Sequence, residues 1–342
     1  MTSETTCRAL FTPEELIRAL PLSARAKLAI DKTREEAKAI IAGNSQKLLV
    51  IVGPCSIHDT KAALDYATQL KEYADQYQDE LLIIMRVYFE KPRTTIGWRG
   101  LINDPHLDGS HDVAHGLTIA RELLIQLNEL GMPAATEFLD PMTPLYLADL
   151  ISWGAIGART TESQLHRQIA AGLPMPIGFK NNTDGNVQVA IEAIQTAQYP
   201  HSYLGITPNG LPSILHTPGN PNCHVILRGS REQTNYGPDD ITSTVNGLNA
   251  QQLTPRLMID CSHGNSHKNH LQQIHVADAV VTQLTLGNQA ICGIMLESNL
   301  VSGKQHLSNN LIYGLSITDA CLSLDETAPL LKKLAAATKR NT

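Results

Sequence analysis

Twelve residues, IDCSHGNSHKNH from Ile259 to His270, bring together three histidines and a cysteine. Thiolate and imidazole are ligands for a divalent transition metal, so the stretch raises the question of which of these residues would bind one. His263 and His267 have the i, i+4 spacing of a helical zinc pair, whereas Cys261 and His263 would share a face in a strand. The element decides between them. RLMIDC reads as a buried strand, and Gly264-Asn265-Ser266 interrupts any helix. His263 is therefore the ligand of choice, with Cys261 as its competitor. His267, Lys268 and His270 are expected to open the next helix and face solvent.

That strand is one of eight short apolar runs: KLLVIVG, LLIIMRV, PAATEFL, GAIGAR, MPIGFK, HVILRG, RLMIDC and AICGIMLES. Amphipathic stretches such as TKAALDYATQLKEYADQY and HVADAVVTQLTLGN lie between most of them. Continuous apolar strands separated by helices predict a parallel sheet covered on both faces, and eight such units predict a (β/α)8 TIM barrel. Before the barrel, residues 1–46 read as an N-terminal helical extension suited to subunit contact or regulation. Thr12-Pro13 starts one helix there, and a second runs from about Ser23 to Ile41 and stops at Gly43. Residues 47–342 form the catalytic unit. One segment, about 201–217, breaks the rhythm as two short strands around Pro208-Asn209-Gly210, an inserted β-hairpin.

In such barrels chemistry gathers at the C-terminal ends of the strands. Read in order, those ends carry Cys55, Arg86, Glu137, Arg159, Lys180, Arg228, His263 and Glu297. Cys55, His263 and Glu297 can hold a divalent metal, with Asp319 in SITDAC as a fourth ligand. Arg86, Arg159, Lys180 and Arg228 form a cationic set that suits a substrate with phosphate, carboxylate or both. EKPRTTIGWRG adds Lys91, Arg93, Thr94 and Thr95 around Pro92, a loop fit for a second phosphate. Two cationic groups around one metal point to the joining of two anionic substrates.

The rest of the composition narrows the class. With 342 residues and a net charge of -6, the chain has no general attraction for nucleic acid or an anionic membrane. No apolar run reaches transmembrane length and no secretory signal is visible. Six cysteines without a CxxC pair suggest free thiols and a cytoplasmic location.

Taken together, GPCSIHD, MRVYFEKPRTTIGWRGLINDPHLDGS, GARTTESQLHR, GFKNNTDG, HVILRG, DCSHGNSHK, ESN and SITDAC closely resemble type I 3-deoxy-D-arabino-heptulosonate 7-phosphate (DAHP) synthase. This is the aromatic-amino-acid-regulated group that opens the shikimate pathway. The resemblance spans nearly the whole chain. It implies one divalent metal (Mn, Fe, Co or Zn) on Cys55, His263, Glu297 and Asp319, the last also close to substrate. It implies phosphoenolpyruvate on Arg86, Lys91, Arg159, Lys180 and Arg228, with backbone help near Gly157 and Ala158. Erythrose 4-phosphate would take the KPRTT loop, chiefly Arg93 and Thr94, beside Pro92. Lys91 and Glu137 would move protons or place water, and Lys180 and His263 would complete the catalytic set. Feedback inhibition would use the N-terminal extension and the hairpin. Gly205, with Tyr203 in the same strand, stands where tyrosine-sensitive members tend to have Gly, so tyrosine is the expected inhibitor. A homodimer or homotetramer is expected. Asn182 stands where the group usually carries Gly. The sibling enzyme that joins phosphoenolpyruvate to a pentose phosphate is disfavoured by the KPRTT loop and the hairpin.

Overall fold

The computed structural model describes residues 7–93 and 96–339. Eight strands run parallel in the order of the chain: β1 (Leu48–Gly53), β2 (Leu81–Arg86), β3 (Ala134–Glu137), β4 (Trp153–Ile156), β5 (Ile177–Lys180), β8 (Cys223–Leu227), β9 (Leu257–Asp260) and β10 (Ile291–Asn299). β1 pairs with β10, Leu49 opposite Gly293 through Gly53 opposite Glu297, and this closes the (β/α)8 barrel. Strand residues alternate between two cores. Leu48, Val50, Val52, Ile83 and Met85 face the helical layer, while Leu49, Ile51, Leu82, Ile84 and Met258 fill the barrel. Both faces are dry, which is why the strands read as unbroken apolar runs.

The covering helices are α3 (Thr60–Gln76), α4 (Val113–Leu130), α5 (Thr143–Leu147), α6 (Gln164–Ala170), α7 (Gln188–Ala197), α8 (Pro238–Ala250), α9 (Gln272–Thr285) and α10 (Leu324–Lys339). Two helices come before the barrel. In α1 (Pro13–Ala19), Thr12 and Glu15 form a capping box, and in α2 (Ala24–Ala42), Ser23 caps the start and left-handed Gly43 the end. α2 is packed into the barrel rather than standing clear of it. Its Ala37, Ile40 and Ile41 join the interior core beneath Leu49, Ile51 and Trp153. Arg34 donates from the same helix to the carbonyls of Ala148 and Ile151. The barrel is thus stoppered at the N-terminal ends of its strands, leaving the C-terminal ends as its open mouth.

β6 (His201–Ile206) and β7 (Pro212–Thr217) pair antiparallel as the inserted hairpin. Gly210 closes its turn with φ 85°, a left-handed conformation that suits glycine. The α1 end reaches this turn, Glu14 N donating to Pro208 O at 2.9 Å, while Tyr146 Oη donates to Phe11 O. β11 (Val301–Lys304), β12 (Leu315–Ser316) and β13 (Leu322–Ser323) finish the mouth, β13 pairing with the end of β10. Among the described residues no helix is long and apolar enough to cross a membrane, and all six cysteines are free.

Candidate active site

The mouth collects ionisable side chains because each barrel strand ends there. Arg86, Glu137 and Lys180 are the last residues of β2, β3 and β5, and Glu297 lies two residues before the end of β10. Cys55, Arg159, Arg228 and His263 stand one to three residues past their strands, and Asp319 sits between β12 and β13.

Cys55, Glu297 and Asp319 bring ligand atoms within 4.8 Å of one another, a possible metal-binding triad. Cys55 Sγ is 3.9 Å from Asp319 Oδ2. His263 falls just outside this group, with Nε2 3.8 Å from Glu297 Oε1. Its other ring nitrogen, Nδ1, lies 2.9 Å from Asp260 Oδ2. A carboxylate on Nδ1 fixes the tautomer that leaves the Nε2 lone pair facing the triad, an arrangement typical of metal-binding histidines. Thiolate, imidazole and two carboxylates fit a divalent transition metal.

The strand reading left Cys261 in competition, on the ground that it would share a face with His263. It does not, because β9 ends at Asp260 and His263 turns left-handed, φ 58°. Cys261 is instead fully buried in the core between strands and helices. The expectation that His267, Lys268 and His270 open a helix is also overturned. α9 starts at Gln272, and His267 and Lys268 have φ of 47° and 59°, which no helix accommodates.

Around the triad lie cations with partners. Arg86, 1% exposed, donates to Glu297 Oε1 at 3.1 Å and to the carbonyls of Pro54 and Cys55, and stacks 3.4 Å from the centroid of the Tyr88 ring. Lys91 Nζ is 3.0 Å from Cys55 Sγ and donates to Cys55 O. Lys180 Nζ donates to Asp260 Oδ2 at 2.9 Å, with both groups buried. Burial alone would raise the Asp260 carboxyl, but Lys180 and His263 overcome it and hold the group well below the usual carboxylate range.

Arg228 is 9% exposed, and its Nε is buried with no hydrogen-bond partner, a donor set for a ligand. With exposed Arg159 it lines a cavity of about 500 Å³ that also takes in Thr183, Ser230 and His263. A second cavity, about 830 Å³, is lined by Lys91, Pro92, Arg93, Arg99 and Trp98, and shares no lining residue with the first. Arg93 is held at its edge, Nε donating to Trp98 O at 2.8 Å. Thr94 and Thr95 lie outside the described residues.

Gly157 shows what the turn after β4 requires. A Cβ there would lie 2.1 Å from Glu137 Oε1, so only glycine lets that carboxylate rest against the backbone. Its carbonyl accepts from Thr160 N and Thr161 N, which folds Ala158 and Arg159 into a turn. Glu137 caps no helix, since α5 starts after Met142. Asn182 builds a local turn of its own, accepting from Asp184 N and Asn186 N. Tyr203 and Gly205 are far from this chemistry, in β6, on the wall of a separate cavity of about 460 Å³.

Sequence reasoning passed over Asp260, Tyr88 and three buried asparagines. Asn181 Oδ1 accepts from Arg228 N and Asn235 Nδ2, Asn235 Oδ1 accepts from Gly229 N, and Asn265 Oδ1 accepts from Asn235 N. This chain stitches the ends of β5, β8 and β9 together and fixes where Lys180, Arg228 and His263 emerge. The available signal was a polar residue at or just past the end of a buried strand, Asp260 in MID and Asn181 in FKN.

Comparison with known proteins agrees with this architecture. Residues 26–332 match the model of the DAHP synthetase I family. The chain is 51% identical over 328 residues to the Tyr-sensitive phospho-2-dehydro-3-deoxyheptonate aldolase of Escherichia coli (strain K12), covering 95% of this chain and 92% of that protein. It is 51% identical over 332 residues to the Phe-sensitive enzyme of the same organism, covering 96% and 95%. The solved phospho-2-dehydro-3-deoxyheptonate aldolase of Francisella tularensis SCHU S4 superposes with a TM-score of 0.98 at 48% identity, over 99% of this chain and 100% of that one. A closed parallel barrel whose mouth carries these motifs, matched by model, sequence and structure over nearly its whole length, places the protein: the chain belongs to the DAHP synthetase I family.

Proposed function

We propose that this protein condenses phosphoenolpyruvate with D-erythrose 4-phosphate and water to give 3-deoxy-D-arabino-heptulosonate 7-phosphate and inorganic phosphate. The relatives just described carry the name of that enzyme. The observation that carries the reading is a thiol–dicarboxylate triad with the imidazole of His263 3.8 Å from Glu297, flanked by two cavities with no lining residue in common, one reached through Lys91 and the other through His263.

Cys55, His263, Glu297 and Asp319 would hold the divalent ion, Mn, Fe, Co or Zn. When bound, the ion supplies Lewis acidity toward a carbonyl oxygen. Arg159 and Arg228, with the free Nε of the latter, would take the phosphate of phosphoenolpyruvate. Lys180, Arg86 and Lys91 would face its carboxylate, with Gly157 and Ala158 lending backbone. Arg93, with Thr94, would hold the phosphate of the aldose and aim its aldehyde inward past Pro92. C3 of the enolpyruvate then bonds to the aldehyde carbon, a proton reaches the new hydroxyl, and water adds at C2. The resulting hemiketal phosphate breaks its C2–O bond and releases phosphate. Lys91 and Glu137 are the groups suited to move the protons or seat the water, and Arg159, Lys180 and Arg228 together stabilise the carboxylate and the departing dianion. Supplying erythrose 4-phosphate or arabinose 5-phosphate alongside phosphoenolpyruvate, and following phosphate release, tests the substrate. Release with the five-carbon sugar alone would transfer the protein to the sibling reaction.

The 460 Å³ cavity suits the feedback ligand. It is lined by Leu145, Ile169, Leu173 and Tyr203 and sits under the hairpin that α1 grips. A Cβ on Gly205 would lie 2.5 Å from Leu215 Cδ1, so a serine there pushes Leu215, itself a lining residue. Gly205 thus serves strand packing and cavity room at once, which supports tyrosine as the ligand. Gly205→Ser should weaken tyrosine inhibition, and unchanged sensitivity would sink this assignment. The outer hairpin face exposes Leu204 and Ile214, a surface consistent with a homodimer or homotetramer. Free thiols are consistent with a cytoplasmic location.

A further inference from the structure

The 500 Å³ cavity carries more positive charge than the residues assigned to phosphoenolpyruvate account for. Beyond Arg159 and Arg228 it is lined by Arg231, His267 and Lys268, and no carboxylate lines it. This stands out in a chain of net charge -6. Deeper in the site the cations are compensated: Arg86 pairs with Glu297 and Lys180 with Asp260. Among the described residues, Arg159, Arg228, Arg231 and Lys268 pair with no carboxylate within 4.0 Å. Arg231, His267 and Lys268 are exposed.

Their placement is built into the backbone. His263, His267 and Lys268 all hold left-handed φ, a conformation that L-residues rarely adopt, within six residues. The loop is held in this shape by Asn265, whose Nδ2 donates to Leu227 O and Asp260 O, and by Lys268 N donating to His263 O. It is pressed against the loop after β8, since a Cβ on Gly264 would lie 2.3 Å from Ser230 O. The two loops therefore bring Arg231 from one side and His267 and Lys268 from the other to the same opening.

We propose that Arg231, His267 and Lys268 form an outer anion subsite at this opening, distinct from the Arg159–Arg228 pair assigned to the phosphoenolpyruvate phosphate. It receives the phosphate dianion of the incoming enolpyruvate and holds inorganic phosphate as it leaves. The proposal rests on the reaction proposed above for its substrate, but phosphate binding itself is measurable without turnover. Uncompensated cations at an open mouth raise the local concentration of anions and accelerate their capture in a salt-dependent way. With the sugar phosphate assigned above to the other cavity, which shares no lining residue with this one, the outer subsite acts on one substrate only.

The test is Arg231→Gln combined with Lys268→Gln in the full chain, with Arg231→Lys combined with Lys268→Arg as the charge-conserving control. Binding of inorganic phosphate alone is measured by calorimetry, and phosphate is used as a product inhibitor against varied phosphoenolpyruvate. Two lost cation–dianion contacts should weaken phosphate binding and raise its inhibition constant about tenfold. kcat/KM for phosphoenolpyruvate should fall and lose much of its salt dependence, KM for the aldose should hold, and the control should restore both. Unchanged phosphate affinity and an unchanged salt slope in the Gln variant would overturn the subsite. Absence of turnover in the unaltered protein would overturn the reaction instead, leaving the calorimetry to decide the subsite.

Discussion

Asp260→Asn is the substitution most informative about how this site is held. Asp260 is fully buried, and its two oxygens divide the work. Oδ2 accepts from Lys180 Nζ and from His263 Nδ1, both at 2.9 Å, while Oδ1 accepts from Ser262 N at 3.0 Å and Ser262 Oγ at 2.6 Å. An asparagine has one acceptor oxygen. Turned one way, its NH₂ group faces the two donors on Lys180 and His263; turned the other, it faces the Ser262 N–H. Either way the charge is lost, and Lys180, 3% exposed, is left as an uncompensated cation inside the barrel. Removing one partner of a buried pair costs about 3–5 kcal/mol. In a domain of this size that lowers Tm by roughly 4–7 °C. Without its carboxylate, His263 Nδ1 keeps only Ser262 Oγ at 2.7 Å and its tautomer is less firmly set, so affinity for a divalent ion should drop about 10–100-fold. Differential scanning fluorimetry measures the first effect, and competition of Mn(II) or Zn(II) against a chromophoric chelator measures the second without any turnover. A variant with unaltered Tm and unaltered metal affinity would refute the claim that Asp260 organises both Lys180 and His263.

Two further outcomes follow from the same geometry. Gly157→Ala would put a Cβ 2.1 Å from Glu137 Oε1. A flexible carboxylate can move aside, so Tm should change little while kcat falls about 100-fold from misplacement of Glu137, and a fully active variant would remove Glu137 from the mechanism. Glu90, 3% exposed beside the second cavity, has its carboxyl pushed up from 4.5 to about 7, by burial first and by Asp140 second. The folded protein therefore holds a proton that the unfolded chain has lost between about pH 4.5 and 7, so stability falls as pH rises through that window and levels off above it. Glu90→Gln should stabilise the protein at pH 8 by up to about 3 kcal/mol and much less at pH 5, and equal Tm gains at both would contradict the assignment.

How far the sequence reached depends on the range of the interactions involved. The eight barrel strands were legible because burial on both faces writes each as a continuous apolar run, and closing the barrel puts their ends in one place. Cys55, Arg86, Lys180, Glu297 and Asp319 could be read from that rule. Asp260 was not, because its partners are 80 residues away at Lys180 and three away across a left-handed turn at His263. Helical or strand periodicity predicts neither, and the same turn separates Cys261 from His263. The asparagine chain joining β5, β8 and β9 includes bonds across 30, 47 and 54 residues and exists only once neighbouring strands are in register. α2 was legible as a helix with its glycine stop. That it stoppers the barrel was not, since Ala37, Ile40 and Ile41 look like any amphipathic stripe until the interior core they complete is known.

The most direct test of the central claim is a single kinetic trace. Protein stripped of metal by a chelator is mixed with phosphoenolpyruvate and erythrose 4-phosphate, and the enolpyruvate absorbance is followed before and after addition of Mn(II). The absorbance should hold steady before the ion is added and fall steadily afterwards, matched by release of inorganic phosphate. A loss of equal rate without metal, or none with it, would contradict the assignment of Cys55, His263, Glu297 and Asp319 to a metal centre that joins these two substrates.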